Sequence, residues 1–162
     1  MNPTEAPLRV GVAGRGSDAH PDLVEMGRRL GRALADRGVV VLCGGLGGVM
    51  AGVCHGVAEV GGTSLGFLPG PDPGDANPWV TIPLATGLGE GRNLLVAGCG
   101  EVLLAVGGGW GTLSEVALAQ KLLIPVGVLG DAAFPDLGLP RFEDPESAAE
   151  WAVETARSRR TS

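Results

Sequence analysis

The segment Gly107-Gly108-Gly109-Trp110-Gly111-Thr112-Leu113-Ser114-Glu115 sets glycines, hydroxyls and one carboxylate between an apolar run and a helix-forming stretch. Glycines at such a junction let backbone N–H groups approach an anion without a Cβ in the way, and the positive end of the following helix favours negative charge. Gly108, Gly109, Gly111 and the Thr112 hydroxyl are therefore candidate phosphate-binding groups. Thr112 and Glu115 also have the spacing of a capping box, in which both side chains only satisfy free N–H groups at a helix start. The run Gly44-Gly45-Leu46-Gly47-Gly48 makes the same kind of turn, with Gly44, Gly45 and Gly47 as candidate ligand contacts or as a tight connection for close packing. A shorter loop, Gly14-Arg15-Gly16-Ser17, adds Gly14 and Ser17 as candidates.

Arg92, in Gly89-Glu90-Gly91-Arg92-Asn93, stands at an expected helix start. The helix dipole gives a cation no advantage there, so a role as a fork for phosphate, base or carboxylate competes with that of a solvated surface charge. A dinucleotide site would want an acidic residue at the end of the second strand. That strand ends in Cys43-Gly44, which disfavours NAD, and no loop continues into Gly-Lys-Ser/Thr, which removes Walker-type hydrolases. His20 and His55 have no Cys, Asp or Glu partner at metal-ligand or triad spacing and read as structural. Cys43, Cys54 and Cys99 match neither a zinc knuckle nor a redox pair, so no metal and no cofactor is expected.

Alternating strands and helices must position these groups. Leu8–Ala13, Val39–Cys43, Thr63–Leu68, Glu101–Val106 and Val126–Leu129 are apolar runs of strand length, the last closing the strand series, and Trp79–Ile82 is a further extended segment. Asp22–Arg37, with Leu23, Met26, Leu30 and Leu34 on one stripe, is an amphipathic helix ending near Gly38. Helices are also expected over Val49–Val60, Glu90–Cys99, Thr112–Leu122 and Glu146–Arg157. Pro69-Gly70-Pro71-Asp72-Pro73-Gly74 reads as an exposed loop. The pattern predicts a Rossmann-like α/β domain, its mainly parallel sheet covered by helices on both faces and all three glycine loops at the carboxyl ends of strands. We expect one domain over residues 1–162, with its core about 8–158.

Composition narrows the function classes. With 44% apolar residues spread along 162 positions the chain is neither disordered nor membrane-like, and no apolar run reaches transmembrane length. The N-terminal stretch Met1–Pro7 lacks the basic and apolar parts of a secretion signal, so a cytoplasmic protein is expected. A net charge of −6 argues against nucleic acid as partner, since backbone phosphates require a basic face.

Taken together, the glycine loops resemble the Lonely Guy (LOG) family, also labelled lysine decarboxylase-like, and its relatives in the SLOG superfamily. The likeness runs from about Val10 to Leu129. Gly107–Glu115 is similar to the family's P-G-G-x-G-T-x-x-E motif, Gly44–Met50 to its G-G-x-x-G-x-M loop, and Arg92-Asn93 to its R-K pair. Asn77–Val80 and Thr86–Asn93 resemble a compact branch related to the DNA-processing protein A. Gly107 stands where the LOG motif has proline, and Asn93 where it has a basic residue. The resemblance implies hydrolysis of the N-glycosidic bond of an AMP-like nucleoside 5′-monophosphate, with Arg92 and Glu115 as the catalytic pair. Glu115 would stabilise the oxocarbenium-like ribose or orient water, and Arg92 would position the nucleotide. Lysine decarboxylation is disfavoured, because Lys121 lies at a helix end away from the glycine loops. A non-catalytic nucleotide-binding module, or a carrier for an oxyanion such as molybdate, uses the same cradle of N–H groups. The resemblance also implies a homodimer, with the apolar Leu94–Gly98 helix as contact.

Overall fold

The computed structural model describes residues 6–161; Met1–Glu5, on which part of the secretion-signal reading falls, lie outside them. Strands β1 (Arg9–Gly14), β2 (Val40–Cys43), β3 (Ser64–Leu68), β4 (Ile82–Ala85), β5 (Val102–Val106), β6 (Val126–Leu129) and β7 (Arg141–Phe142) form one sheet in the order β4-β3-β2-β1-β5-β6-β7. Every neighbouring pair is parallel. Helices α1 (Pro21–Ala35), α2 (Val49–Glu59), α3 (Asn93–Gly98), α4 (Trp110–Lys121) and α5 (Pro145–Thr161) complete a single-domain, Rossmann-like α/β fold. Among the described residues, no helix is long and apolar enough to cross a membrane.

Strand alternation builds two cores. Val102, Leu104 and Val106 of β5 join Val10 and Val12 of β1, Leu30 and Leu34 of α1, Val53 and Val57 of α2 and the alanines of α5. Leu103 and Ala105 point the other way, to Val96 of α3 and Val116 and Ala119 of α4. Side chains leave a strand on opposite faces at successive positions, so a central strand with helices on both sides has no polar position to spare. This is why β5 reads Val-Leu-Leu-Ala-Val and is buried throughout.

The strand series does not close at β6. The two residues of β7 pair with Val128 and Leu129, and their register comes from the chain returning through the loop over residues 130–140 rather than from any apolar run. β4 begins at Ile82, later than the extended segment read from Trp79; as an edge strand exposed along its length it tolerates Pro83. The expected helix over Glu90–Cys99 divides into a 3-10 turn, Gly89–Arg92, and the short α3.

Helices α1 and α2 cross at backbone contact distance. A Cβ on Gly31 would stand 2.1 Å from the Val53 carbonyl oxygen, one on Gly52 2.3 Å from that of Val24, and one on Gly56 1.9 Å from that of Arg28. Glycines four residues apart on each helix therefore let the two backbones meet, which fixes where α2 begins relative to β1.

Candidate functional site

From β1 the chain moves outward to β2, β3 and β4, then returns across β1 to β5 and moves outward the other way. β1 and β5 therefore flank the point where strand order reverses, the place where parallel sheets open a crevice at their carboxyl ends. A cleft of about 350 Å³ lies there. Gly14, Gly16 and Ser17 line it from the loop after β1, and Gly44, Leu46, Gly47 and Met50 from the loop and helix after β2. Gly111, Thr112 and Glu115 come from α4, and Glu90, Arg92 and Asn93 from the 3-10 turn and the start of α3.

The first two loops lock together. Val49 N–H donates to the Arg15 carbonyl at 2.9 Å, and Gly48, at φ 65°, leaves only 1.8 Å between its missing Cβ and the Gly16 carbonyl oxygen. Asn77 braces the second loop from outside, its Nδ2 donating to the carbonyls of Gly45 and Leu46. The third loop ends at Gly109, the N-cap of α4, with no side chain capping the helix. Thr112 is thus the third residue of the helix and Glu115 the sixth, so the capping-box reading is corrected: the helix starts too early for Glu115 to reach its first N–H groups. The N–H groups of the first turn point outward, as at every helix start.

Of the sequence candidates, Gly14, Ser17, Gly44, Gly47, Gly111, Thr112, Arg92 and Glu115 meet at this one cleft. Gly45, Gly108 and Gly109 do not line it. Gly45 packs on β3, and Gly108, at φ 121°, makes room for the Thr112 side chain, which a Cβ would meet at 2.5 Å. Gly107 has φ 56°. A proline, held near φ −65°, cannot take that conformation, so the departure from the LOG motif is a change in the path of the loop. Sequence reasoning missed Gly16, Leu46, Met50 and Glu90 as lining residues. It also missed the part played by Asn93, whose Nδ2 donates to Ser114 Oγ at 3.0 Å and ties α3 to the first turn of α4.

Two buried ionisable groups line the cleft. Arg92 is 8% exposed and Glu115 7%. Arg92 Nη1 donates to the carbonyls of Gly44 and Phe67, the latter at 2.7 Å, so the guanidinium holds together the carboxyl ends of β2 and β3. Its Nε is buried with no partner among the described residues. Glu115 forms no ion pair with Arg92; burial pushes its carboxyl up to about 8, against the opposing charge of Arg92 and with a further push from Glu90. At neutral pH the cleft therefore holds one buried cation beside a mostly protonated acid.

That protonation has a measurable consequence. The folded chain keeps on Glu115 a proton that the unfolded chain releases near the ordinary value of 4.5, so stability declines as pH rises from about 5 to 8 and this contribution levels above that. Glu115→Gln, which cannot ionise, should flatten the decline by roughly 3 to 4 kcal/mol between those limits. Urea denaturation of both proteins at pH 5 and pH 8 checks it, and parallel curves would mean that Glu115 is ionised in the fold.

Other candidates are accounted for structurally. His20 caps α1, its Nδ1 accepting from Asp22 N–H, and His55 stacks on Trp79 at 4.5 Å between ring centroids. Cys43 and Cys54 are buried free thiols whose sulfurs lie 3.4 Å apart. Among the described residues no three His, Cys, Asp or Glu side chains gather as a metal site.

Parallel sheet, switch-point cleft and glycine-lined helix start define a Rossmann-like α/β protein with an open cleft at the carboxyl ends of its strands. The chain belongs to the SLOG cluster4 family, whose model matches residues 7–157. It is similar to the molybdenum cofactor binding protein of the phototrophic bacterium Rippkaea orientalis, with 32% identity, a TM-score of 0.86 and coverage of 93% of this chain and 98% of that one. The Moco carrier protein of Chlamydomonas reinhardtii is 37% identical with a TM-score of 0.83, over 95% of this chain and 99% of its own. DNA processing protein A of Helicobacter pylori, described for its single-stranded DNA binding mode, shares 18% identity at a TM-score of 0.72, over 94% of this chain and 83% of that one, a likeness of fold alone.

Proposed function

We propose that this chain is a non-catalytic carrier whose cleft holds a small phosphate-bearing ligand, and that the ligand is the molybdenum cofactor, a pterin bearing a phosphate. The observation that carries this reading is the buried Arg92 cation, unpaired with Glu115 and with Nε free, beneath three glycine loops and the start of α4. Gly14, Ser17, Gly44, Gly47, Gly111 and Thr112 would cradle the phosphate, with backbone N–H groups at the α4 start supplying uncharged donors and Arg92 the countercharge. A protonated Glu115 suits this role, since a neutral acid does not repel an anion and has a hydrogen to donate to it. The likeness to two carriers or binders of that cofactor supports the choice of ligand.

A LOG-like phosphoribohydrolase is the second reading, favoured by Arg92 and Glu115 sharing one cleft with the phosphate cradle. A carboxyl held near 8 is poorly suited to stabilise an oxocarbenium ion, which needs a carboxylate, and Arg92 is already engaged by two main-chain carbonyls. The proposal includes a homodimer in the cytoplasm, supported by exposed Leu94 on α3 and Leu122 and Leu123 past the end of α4.

Two measurements on the purified protein separate the readings. The carrier should bind the molybdenum cofactor with micromolar or tighter affinity, molybdate and inorganic phosphate should compete for the cradle, and AMP or N6-modified AMP should release no free base. Base release without cofactor binding would reverse the order of the two readings.

A further inference from the structure

The cleft that takes the phosphate offers no aromatic surface: its walls are glycine, small aliphatic and polar residues with Leu46 and Met50. A planar heterocycle attached to that phosphate must find its platform elsewhere. A second, more open cavity of about 640 Å³ adjoins, and Glu90, Asn93 and Gly111 line both. Trp110 stands in its wall, immediately before Gly111, at the first position of α4.

The three tryptophans are treated differently by the fold. Trp79 stacks on His55 and Trp151 packs at 5.4 Å against Phe142, both ring contacts within the protein. Trp110 has no ring partner among the described residues and is 89% exposed. An indole so placed gains nothing for folding, yet it adjoins the backbone that cradles the phosphate. The rest of the nearby wall, Ser114, Ala117, Leu118 and Lys121, follows the same face of α4, apolar at Ala117 and Leu118 and bounded by the Lys121 charge.

We infer that Trp110 is the stacking platform for the ring system of the bound ligand, making the second cavity a subsite for a planar fused heterocycle whose phosphate sits in the glycine cleft. The inference rests on the carrier reading for the phosphate and adds the recognition of the ring. Stacking of a heterocycle on an aromatic side chain is sequence-tolerant and strong enough to change affinity by an order of magnitude or more. The subsite explains why an otherwise anion-selective cleft would hold a pterin phosphate more tightly than inorganic phosphate.

The experiment titrates wild type, Trp110→Ala and Trp110→Phe with the molybdenum cofactor and, separately, with inorganic phosphate, following calorimetry and tryptophan fluorescence. Trp110→Ala should weaken cofactor binding roughly tenfold or more while phosphate affinity stays within about twofold, and Trp110→Phe should recover most of the loss. Quenching on cofactor binding should largely vanish in both variants although Trp79 and Trp151 remain. Unchanged cofactor affinity in Trp110→Ala would overturn the inference and leave the carrier reading standing. So would equal loss of phosphate and cofactor binding, which marks a damaged loop, or a change in light-scattering mass with affinity intact, which marks a contact between copies. Failure of the wild type to bind the cofactor would overturn the carrier reading and this inference together.

Discussion

Arg92→Met should lower the unfolding free energy by about 3 kcal/mol and abolish phosphate binding in the glycine cleft. Methionine keeps much of the side-chain volume but removes the donor that serves the carbonyls of Gly44 and Phe67. Those carbonyls belong to the carboxyl ends of β2 and β3, and among the described residues no other side chain bridges them. Hydrogen bonds from a charged donor contribute about 1.5–3 kcal/mol each, and relief from burying a cation offsets part of the loss. Phosphate would lose its countercharge, and Glu115, no longer held down by Arg92, would titrate still higher. Arg92→Lys separates the two effects: it restores the charge, and with it partial anion binding, without the fork that reaches both strands. Urea denaturation and phosphate calorimetry on the three proteins make the comparison. A methionine variant that binds phosphate as before would show that Arg92 is a strap between strands and nothing more.

Gly56→Ala should be equally damaging for an unrelated reason. Its new methyl group would sit 1.9 Å from the Arg28 carbonyl oxygen, a contact with backbone that no rotamer relieves. The helices α1 and α2 would have to separate, opening the packing of Val53 and Val57 against Leu30 and Leu34. Overpacking usually costs about 1–3 kcal/mol, and the absence of any flexible neighbour places this case near 3 kcal/mol. Gly111→Ala is the instructive control. Nothing lies within 4 Å of a Cβ there, and alanine favours the helix by about 0.5–1 kcal/mol. Its stability should hold or rise while phosphate affinity falls, because the methyl group occupies the approach to the cradle. Thermal melts beside phosphate titrations test both. Equal melting points for Gly56→Ala and wild type would mean that the helices slide apart at little cost.

The elements that build the fold were legible because their signals are local. Five apolar strands, the amphipathic stripe of α1 and the glycine clusters after β1, β2 and β5 need only neighbouring residues to be read, and right-handed parallel connections then bring those loops to one end of the sheet. That Arg92 and Glu115 converge on the same cleft was likewise anticipated through the resemblance. β7 was not legible: two residues carry no periodicity, and their pairing depends on a loop that must first be closed. The glycines at four-residue steps in α1 and α2 were visible in the sequence, yet their meaning needs a partner helix at known distance.

The state of the site is the part that belongs to tertiary structure alone. Arg92 looks like a surface cation at a helix start until carbonyls 25 and 48 residues earlier in the chain are folded over it. Glu115 looks like an ordinary carboxylate, or half of a capping box, until burial raises it to about 8 and α4 begins at Trp110. Trp110 has the composition of a core residue and the exposure of a surface one. Periodicity and turn chemistry depend on neighbours along the chain, whereas charge state, desolvation and exposure depend on neighbours in space. Chain order therefore sufficed for the five apolar strands, most of the helices and the place of the cleft, while the edge strand β7 and the protonation and freedom of the groups inside the cleft arose only when distant segments closed around them.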